Sequence, residues 1–539
     1  MKGKFFAALL ALSGAAGAAA VETRLTGDIS GGGVSILNLS KSDLDKYGYK
    51  DKEYWEINKK GGDAFSIKDA QEFYLKLYTT ISEKFVKKIS YMDMTTKALE
   101  SLSAFAGRIE LTMTDQRLMI HDRNMHLLGN FRSPAADDAE AWVNMLINII
   151  MSLRNSSEKI ASAHQEQIFY QTSAYLLKYL DDNAQYFDAV SAKKYDGDYH
   201  TTTLGFTYRT LPFGIQVLDI LKNSPLDMSK MEEGDVITHI NTVPVTEMTP
   251  EQVAGAVNGD TLEIIGLNYV SYSLSKPEQT FVRRNRFEIS PVTTTAEEGK
   301  PPILTIHNFS KGTAETLKTA IEALGEKAQS GIVIDVRANV DGELMEALES
   351  VNLFVHSGDI LRVSGRPETQ DKLYSAKEGD VLAGAPIVII ADHTARGTSE
   401  IFAFAMANSK RAVVLGSLTY GNGYVEEVFD LTGGRKAQFA VGSVQSPDGK
   451  PLDKIGVVPL VCLASFRKLS DADDFVNTVN QGKFKDTRPS LDNPTQDDIT
   501  AARKACPAGY PTLKIQKLAT DIALRIVSER DAYPRLKAM

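Results

Sequence analysis

Three short, mostly apolar runs constrain this chain more than anything else in it: Gly331 to Val336, Ile387 to Ala391 and Ala412 to Leu415. A strand that is apolar at nearly every position has no face to offer water and must be covered on both sides. Helical patterns separate the runs. From Thr313 to Gln329 the spacing puts Leu317, Ala320, Ile321 and Leu324 on one face of a helix. Ile303 to Ile306 reads as a further strand. Strands alternating with helices predict a mixed α/β sheet with helices on its faces. At 539 residues the chain is several times the size of one domain, so three or four units are expected.

The stretch from Ala391 to Gly423 carries the chemistry, reading A-D-H-T-A-R-G-T-S-E-I-F-A, then R-A-V-V-L-G-S-L-T-Y-G-N-G. It resembles the active-site stretch of the C-terminal processing (tail-specific) peptidases of family S41, whose pattern is S-A-S-A-S-E-I-F-A, then R-A-x-x-x-G-x-x-T-[FY]-G-K-G. In that family a serine two residues before Ser-Glu is the nucleophile, and the lysine of Gly-Lys-Gly is the base. Gly397 and Asn422 stand at those positions, with the family's spacing of 25 residues intact. A Ser/Lys dyad needs a hydroxyl to attack the carbonyl and a neutral amine to take its proton. Gly397 has no side chain, and Asn422 is no base near neutral pH. The resemblance also implies a glutamine four residues after the lysine, where Glu426 stands, and an oxyanion-hole glycine within D-L-R-x-N-x-G-G. The matching segment is Asp335 to Gly342, and that glycine is replaced by Asp341. A carboxylate there would repel developing negative charge.

Thr398 and Ser399 still offer hydroxyls, with His393 and Lys410 nearby in sequence. Either could act as a displaced nucleophile, or could cap a helix beginning at Glu400, whose carboxylate in the first turn suits the helix dipole.

The rest of the chain reads as an exported multidomain α+β protein. Lys2 and Lys4, an apolar core from Phe5 to Leu12 and small residues at Ala16 to Ala20 predict a signal peptide over 1–20. The apolar core is too short to anchor in a bilayer. No cysteine lies near the cleavage site, so no lipid anchor is expected, and the periplasm is the expected location in a Gram-negative source. Removing the leader takes the formal net charge from −9 to about −11. No basic run suggests nucleic acid or an anionic membrane surface. There is no HExxH or CxxC, so neither metal nor cofactor is expected.

Residues 21–199 read as a helical N-terminal domain. Ile67 to Ser103 and Ala139 to Arg154 have apolar groups at helical spacing, the second offering either a core helix or a face for a dimer partner. Residues 200–290 resemble a PDZ domain, through Leu204-Gly205-Phe206 and Met231-Glu232-Glu233-Gly234-Asp235-Val236-Ile237, followed by a helix with Thr249 as N-cap and Pro250 in its first turn. Such a domain adds an extended chain as a strand and takes its C-terminal carboxylate on backbone N–H groups. The peptide-binding residues implied are Leu204, Gly205, Phe206 and Val253. Residues 291–465 resemble the S41 (ClpP/crotonase-like) α/β core, and 466–539 a tail with a helix from about Thr512 to Ser528. The resemblance runs from about residue 65 to 465.

Cys462 and Cys506 are the only cysteines. In an oxidising compartment they are expected to pair, pinning the tail across a polar segment, Asp471 to Thr500, that offers little packing of its own. Two buried free thiols are the alternative. Two functions follow from the sequence: a non-catalytic binder of protein tails or of a partner such as an active relative, or a working endopeptidase with displaced catalytic groups.

Overall fold

The computed structural model describes residues 65–539 apart from 104–108, 114–116, 123–126, 190, 193–201, 222, 249, 260–261, 287–289, 340–341, 367–370, 378, 469, 487, 489–493, 508–512 and 530. The expected leader, Thr249 and Asp341 lie outside the described residues. The chain divides into two compact units, Met1–Asp196 with Val428–Phe439, and Gly197–Glu427 with Ala440–Met539.

In the first unit the expected helix Ile67 to Ser103 is two helices, α1 (Ile67–Lys84) and α2 (Tyr91–Ser101). Each begins on a serine whose hydroxyl accepts from the third residue along: Ser66 from Asp69 N, Ser90 from Asp93 N. Phe73, Leu77 and Ile81 of α1 are fully buried. Helix α3 (Ala139–Ser156) buries Trp142, Val143, Leu146, Ile147, Ile149, Ile150 and Leu153, more than one face can hold. It is therefore a core helix, and it leaves no apolar stripe for a partner. Helix α4 (Gln165–Leu180) follows. A three-stranded antiparallel sheet of Ile109–Met113, Arg117–Asp122 and Leu127–Arg132 was not expected from the sequence.

The returning segment completes this unit. Gln185–Phe187 pairs with Lys436–Gln438, and the Arg435 guanidinium lies 5.2 Å from the Phe73 ring and 4.9 Å from the Phe169 ring. It also bonds to Glu166 and reaches Asp69 at 3.4 Å. Burial opposes its charge, but the Glu166 carboxylate outweighs burial and holds the guanidinium above its ordinary value.

The second unit opens with β1 (Phe206–Leu211), β2 (Gly214–Ile220), β3 (Val236–Ile240), helix α5 (Pro250–Val257), β4 (Ile264–Val270) and β5 (Pro277–Arg283). The strands form an antiparallel sheet in the order β5-β4-β3-β2-β1, with β1 at an edge.

A larger sheet follows: β6 (Val292–Thr295), β7 (Ile303–Ile306), β8 (Ile332–Asp335), β9 (Ile387–Ala391), β10 (Val413–Gly416) and β11 (Val461–Cys462), in that order. All neighbours are parallel except β6 and β7. Alternation along the strands explains the apolar runs. Ile332, Ile334, Ile387 and Ile389 face one core, covered by α6 (Thr313–Leu324) and α7 (Thr398–Asn408). Val333, Val388, Ile390, Val413 and Leu415 face another, covered by α8 (Ser470–Asn480) and α10 (Leu513–Ser528). Helix α6 stops at Gly325, whose φ of 55° turns the chain before Glu326–Gln329, so the expected helix to Gln329 is broken.

The expectation that Asp471 to Thr500 packs poorly is corrected. Helix α8 buries Ala472, Val476 and Val479, and α9 (Gln496–Ala505) buries Ile499 and Ala502. Cys462, ending β11, is bonded to Cys506, the C-cap of α9, with Cα atoms 5.8 Å apart. Among the described residues no helix is long and apolar enough to cross a membrane.

Candidate active site

Strand β9 delivers the chain to a tight turn before α7. Asp392 organises it, its carboxylate accepting from Thr394 N at 2.9 Å and from the Thr394 hydroxyl. The same hydroxyl accepts from Ala338 N at 2.8 Å, tying the turn to the loop after β8. Gly397 then takes φ 56° and ψ −119° as the N-cap of α7. That backbone conformation is one L side chains rarely adopt. Its place, between a strand and a helix, is that of the strained turn on which hydrolases present a nucleophile. No side chain is presented here.

Glu400 joins the two dyad positions. It is fully buried. Its Oε1 accepts from the Thr419 hydroxyl at 2.5 Å and Gly421 N at 2.6 Å, and its Oε2 from Asn422 N at 2.9 Å and Gly397 N at 3.3 Å. One carboxylate thus clamps the Gly397 turn and the Asn422 loop together. Burial pushes its carboxyl above the ordinary value, and the four donors pull it part of the way back. This role was not read from the sequence, which shows only an acid in a first helical turn. The Ser-Glu pair of the motif was the available signal.

Asn422 donates from Nδ2 to Glu426 at 3.4 Å, and its buried Oδ1 has no partner. The two hydroxyls next to Gly397 differ. Ser399 is fully buried and its Oγ donates to Asn339 O at 2.7 Å and Arg396 O at 2.9 Å, stitching α7 to the loop after β8. Thr398 Oγ1 is buried with no partner. The helix begins at Thr398 rather than Glu400, and neither hydroxyl caps it; the Glu400 carboxylate bonds the N-cap N–H instead. Lys410 lies beyond the end of α7. Arg396 stacks on the Tyr420 ring at 4.3 Å, a contact that no motif announced.

At the other sheet, Leu204, Phe206 and Val253 belong to one buried cluster. Gly205 has φ 79°, and a Cβ there would lie 2.1 Å from Ser224 Cβ, so only glycine fits. Leu204 N donates to Val257 O at 3.0 Å and Gly205 N to the Thr203 hydroxyl at 2.9 Å. Two of the backbone donors that a peptide carboxylate would use are therefore engaged within the unit. Among the described residues no group of His, Cys, Asp and Glu could hold a metal ion.

Residues 302–462 match the model of peptidase family S41. The chain is 22% identical over 249 residues to a carboxyl-terminal-processing protease of Synechocystis sp., covering 46% of this chain and 58% of that protein. It is 24% identical over 294 residues to a carboxy-terminal-processing protease of Bartonella bacilliformis, covering 53% and 67%. It is 25% identical over 273 residues to a chloroplastic carboxyl-terminal-processing peptidase of Arabidopsis thaliana, covering 48% and 55%. These matches span between about half and two thirds of each relative. Among solved structures, a photosystem II D1 C-terminal processing protease aligns with a TM-score of 0.45 at 18% identity, covering 74% of this chain and 93% of that one. Residues 302–462 are thus a domain of peptidase family S41, on a chain related to the carboxy-terminal processing proteases.

Proposed function

We propose that this protein is a non-catalytic member of the family, one that binds polypeptide chains and does not cut them. The observation that carries the reading is the pair Gly397 and Asn422: both loops of the dyad are held in place by Glu400, and neither presents a nucleophile or a base. Ser399 gives no substitute, because its hydroxyl is spent on two carbonyl oxygens. Asp341 at the oxyanion glycine and Glu426 at the glutamine position point the same way. The test is digestion of a denatured protein by the pure exported chain. No cleavage is expected, and cleavage that disappears in a Thr398 or Ser399 variant would overturn the reading. Gly397→Ser with Asn422→Lys should stay near background, since Asp341 and Glu426 are uncorrected.

Binding is assigned to the sheet over residues 200–290, read as a PDZ domain. Its edge strand β1 has an open side on which an extended chain could add. The names of the relatives speak of carboxyl-terminal processing, which supports protein tails as the ligand class. With Leu204 N and Gly205 N engaged, carboxylate capture falls to Phe206 N, and strand addition along β1 supplies most of the affinity. Calorimetry with free and amidated peptides measures the two contributions. The leader at 1–20 supports export to the periplasm, which N-terminal sequencing of the mature protein checks.

A second reading rests on Thr398, whose buried hydroxyl is engaged in no hydrogen bond. It makes the protein an endopeptidase with a displaced nucleophile, and it requires Thr398→Val to abolish turnover.

A further inference from the structure

A cleft of about 470 Å³ lies in the second unit, lined by residues that include Gln445, Pro451, Asp453, Ile455, Pro494 and Ile499. The geometry points to this cleft as a pocket for the side chain of a lysine or arginine in a bound polypeptide, an inference that rests on the binding reading above.

Its position comes first. The turn that carries Asp453 packs directly against the loop holding Asn422. Lys454 N donates to Gly421 O at 2.9 Å and Val444 N to Gly423 O at 2.8 Å. A Cβ on Gly423 would lie 2.0 Å from Asp453 N. The cleft is thus built on the same backbone as the vacated lysine position.

Its chemistry comes next. Asp453 Oδ2 accepts from the Tyr424 hydroxyl at 2.7 Å, and no lysine or arginine pairs with Asp453 among the described residues. Nearby cations serve other groups: Lys450 pairs with Asp448 at 3.0 Å, and Arg503 donates to Lys454 O at 3.0 Å. Pro451, Ile455, Pro494 and Ile499 give apolar walls, and Asp453 gives an acceptor with an oxygen to spare. A basic side chain matches that order, an aliphatic stem followed by a cationic head. The volume falls in the range of small-ligand pockets, roughly 300–1,000 Å³.

Its construction sets it apart from the family domain. Pro494 and Ile499 lie beyond residue 462, where the family match ends. The Arg503 contact and the Cys462–Cys506 bond hold α9, which carries Ile499, against the core. The tail therefore adds a wall that the domain alone lacks.

The experiment titrates the mature, disulfide-intact protein with N-acetyl-arginine amide and N-acetyl-glutamine amide, followed by calorimetry or ligand-observed NMR. The arginine probe should bind about tenfold more tightly. Asp453→Asn, which keeps the Tyr424 bond, should reduce it to the glutamine level. Ile499→Trp, which fills the cleft from the tail side, should weaken it as well, and Asp453→Asn should leave the thermal midpoint unchanged. Equal binding of the two probes, or binding undiminished by both substitutions, overturns the proposal. Peptides that bind regardless of sequence, while the single-residue probes do not, leave the binding reading standing and remove the cleft. An arginine probe held by Asp453 with no peptide binding at all does the reverse.

Discussion

The S41 domain and the smaller antiparallel sheet differ in what they leave unfinished. Around Gly397 the donors are engaged: Glu400 takes three backbone N–H groups and the Thr419 hydroxyl, Asn339 O takes Arg396 N and the Ser399 hydroxyl, and Asp392 takes its own turn. The smaller sheet exposes Phe213, Ile264, Tyr272, Leu274 and Phe281, and leaves β1 open along one edge. The turn at Gly397 is closed by its own hydrogen bonds, whereas an open edge is a place for another chain.

The largest effect should come from breaking the clamp. Glu400→Gln puts an NH₂ group in place of one carboxylate oxygen, so the buried donors facing that oxygen lose their acceptor. We expect a loss of about 3 kcal/mol or more, read by urea denaturation. The wild type should also carry a pH signature. A carboxyl whose folded value is raised favours the folded state when protonated, so its contribution is full below the unfolded value and is lost as pH rises through the folded one. Thermal midpoints measured from acid pH upward should show that slope, and the variant should lack it. A variant as stable as the wild type would mean the two loops hold themselves.

Opening the Cys462–Cys506 bond with serines at both positions should cost about 2–4 kcal/mol on a loop-closure basis. The helices α8 and α10 pack on the sheet by themselves, so the fold should survive. Thiol titration of the protein purified and denatured without reductant should find no free thiol, and two thiols per chain would show that the bond is absent.

Gly397→Ser should cost about 1–3 kcal/mol, because serine must adopt a φ of 56°. An unchanged denaturation midpoint would show that this turn places no premium on glycine. The smallest effect belongs to Asn422→Ala, which removes one 3.4 Å contact to Glu426 and an oxygen without a partner. It should change stability by less than about 1 kcal/mol. A larger loss would make Asn422 part of the clamp.

The legible parts of the fold were those whose residues speak locally. Ile387 to Ala391 could only be a covered strand, and Leu317 and Ile321 could only face a core. The sheet from Ile109 to Arg132 was hidden because Arg117, His121 and Asp122 dilute its alternation. Helix α8 was hidden because S-D-A-D-D reads as solvent-facing, although Ala472, Val476 and Val479 recur at helical spacing. At the site, the absence of serine and lysine was visible in the letters. The job of Glu400 was not, because its donors return from residues 419 to 422, and only tertiary structure brings them back.

The returning segment 428–439 bears on synthesis. Arg435 lies against the stacked Phe73 and Phe169 rings and answers Glu166, yet it leaves the ribosome about 250 residues after the strand it pairs beside. At roughly 5–20 residues per second, the early helices wait about 12–50 s with those aromatic rings and carboxylates unmatched. During translation this unit therefore stays incomplete until Phe439 has been made, and a polypeptide released at Asp196 would lack the segment that completes it.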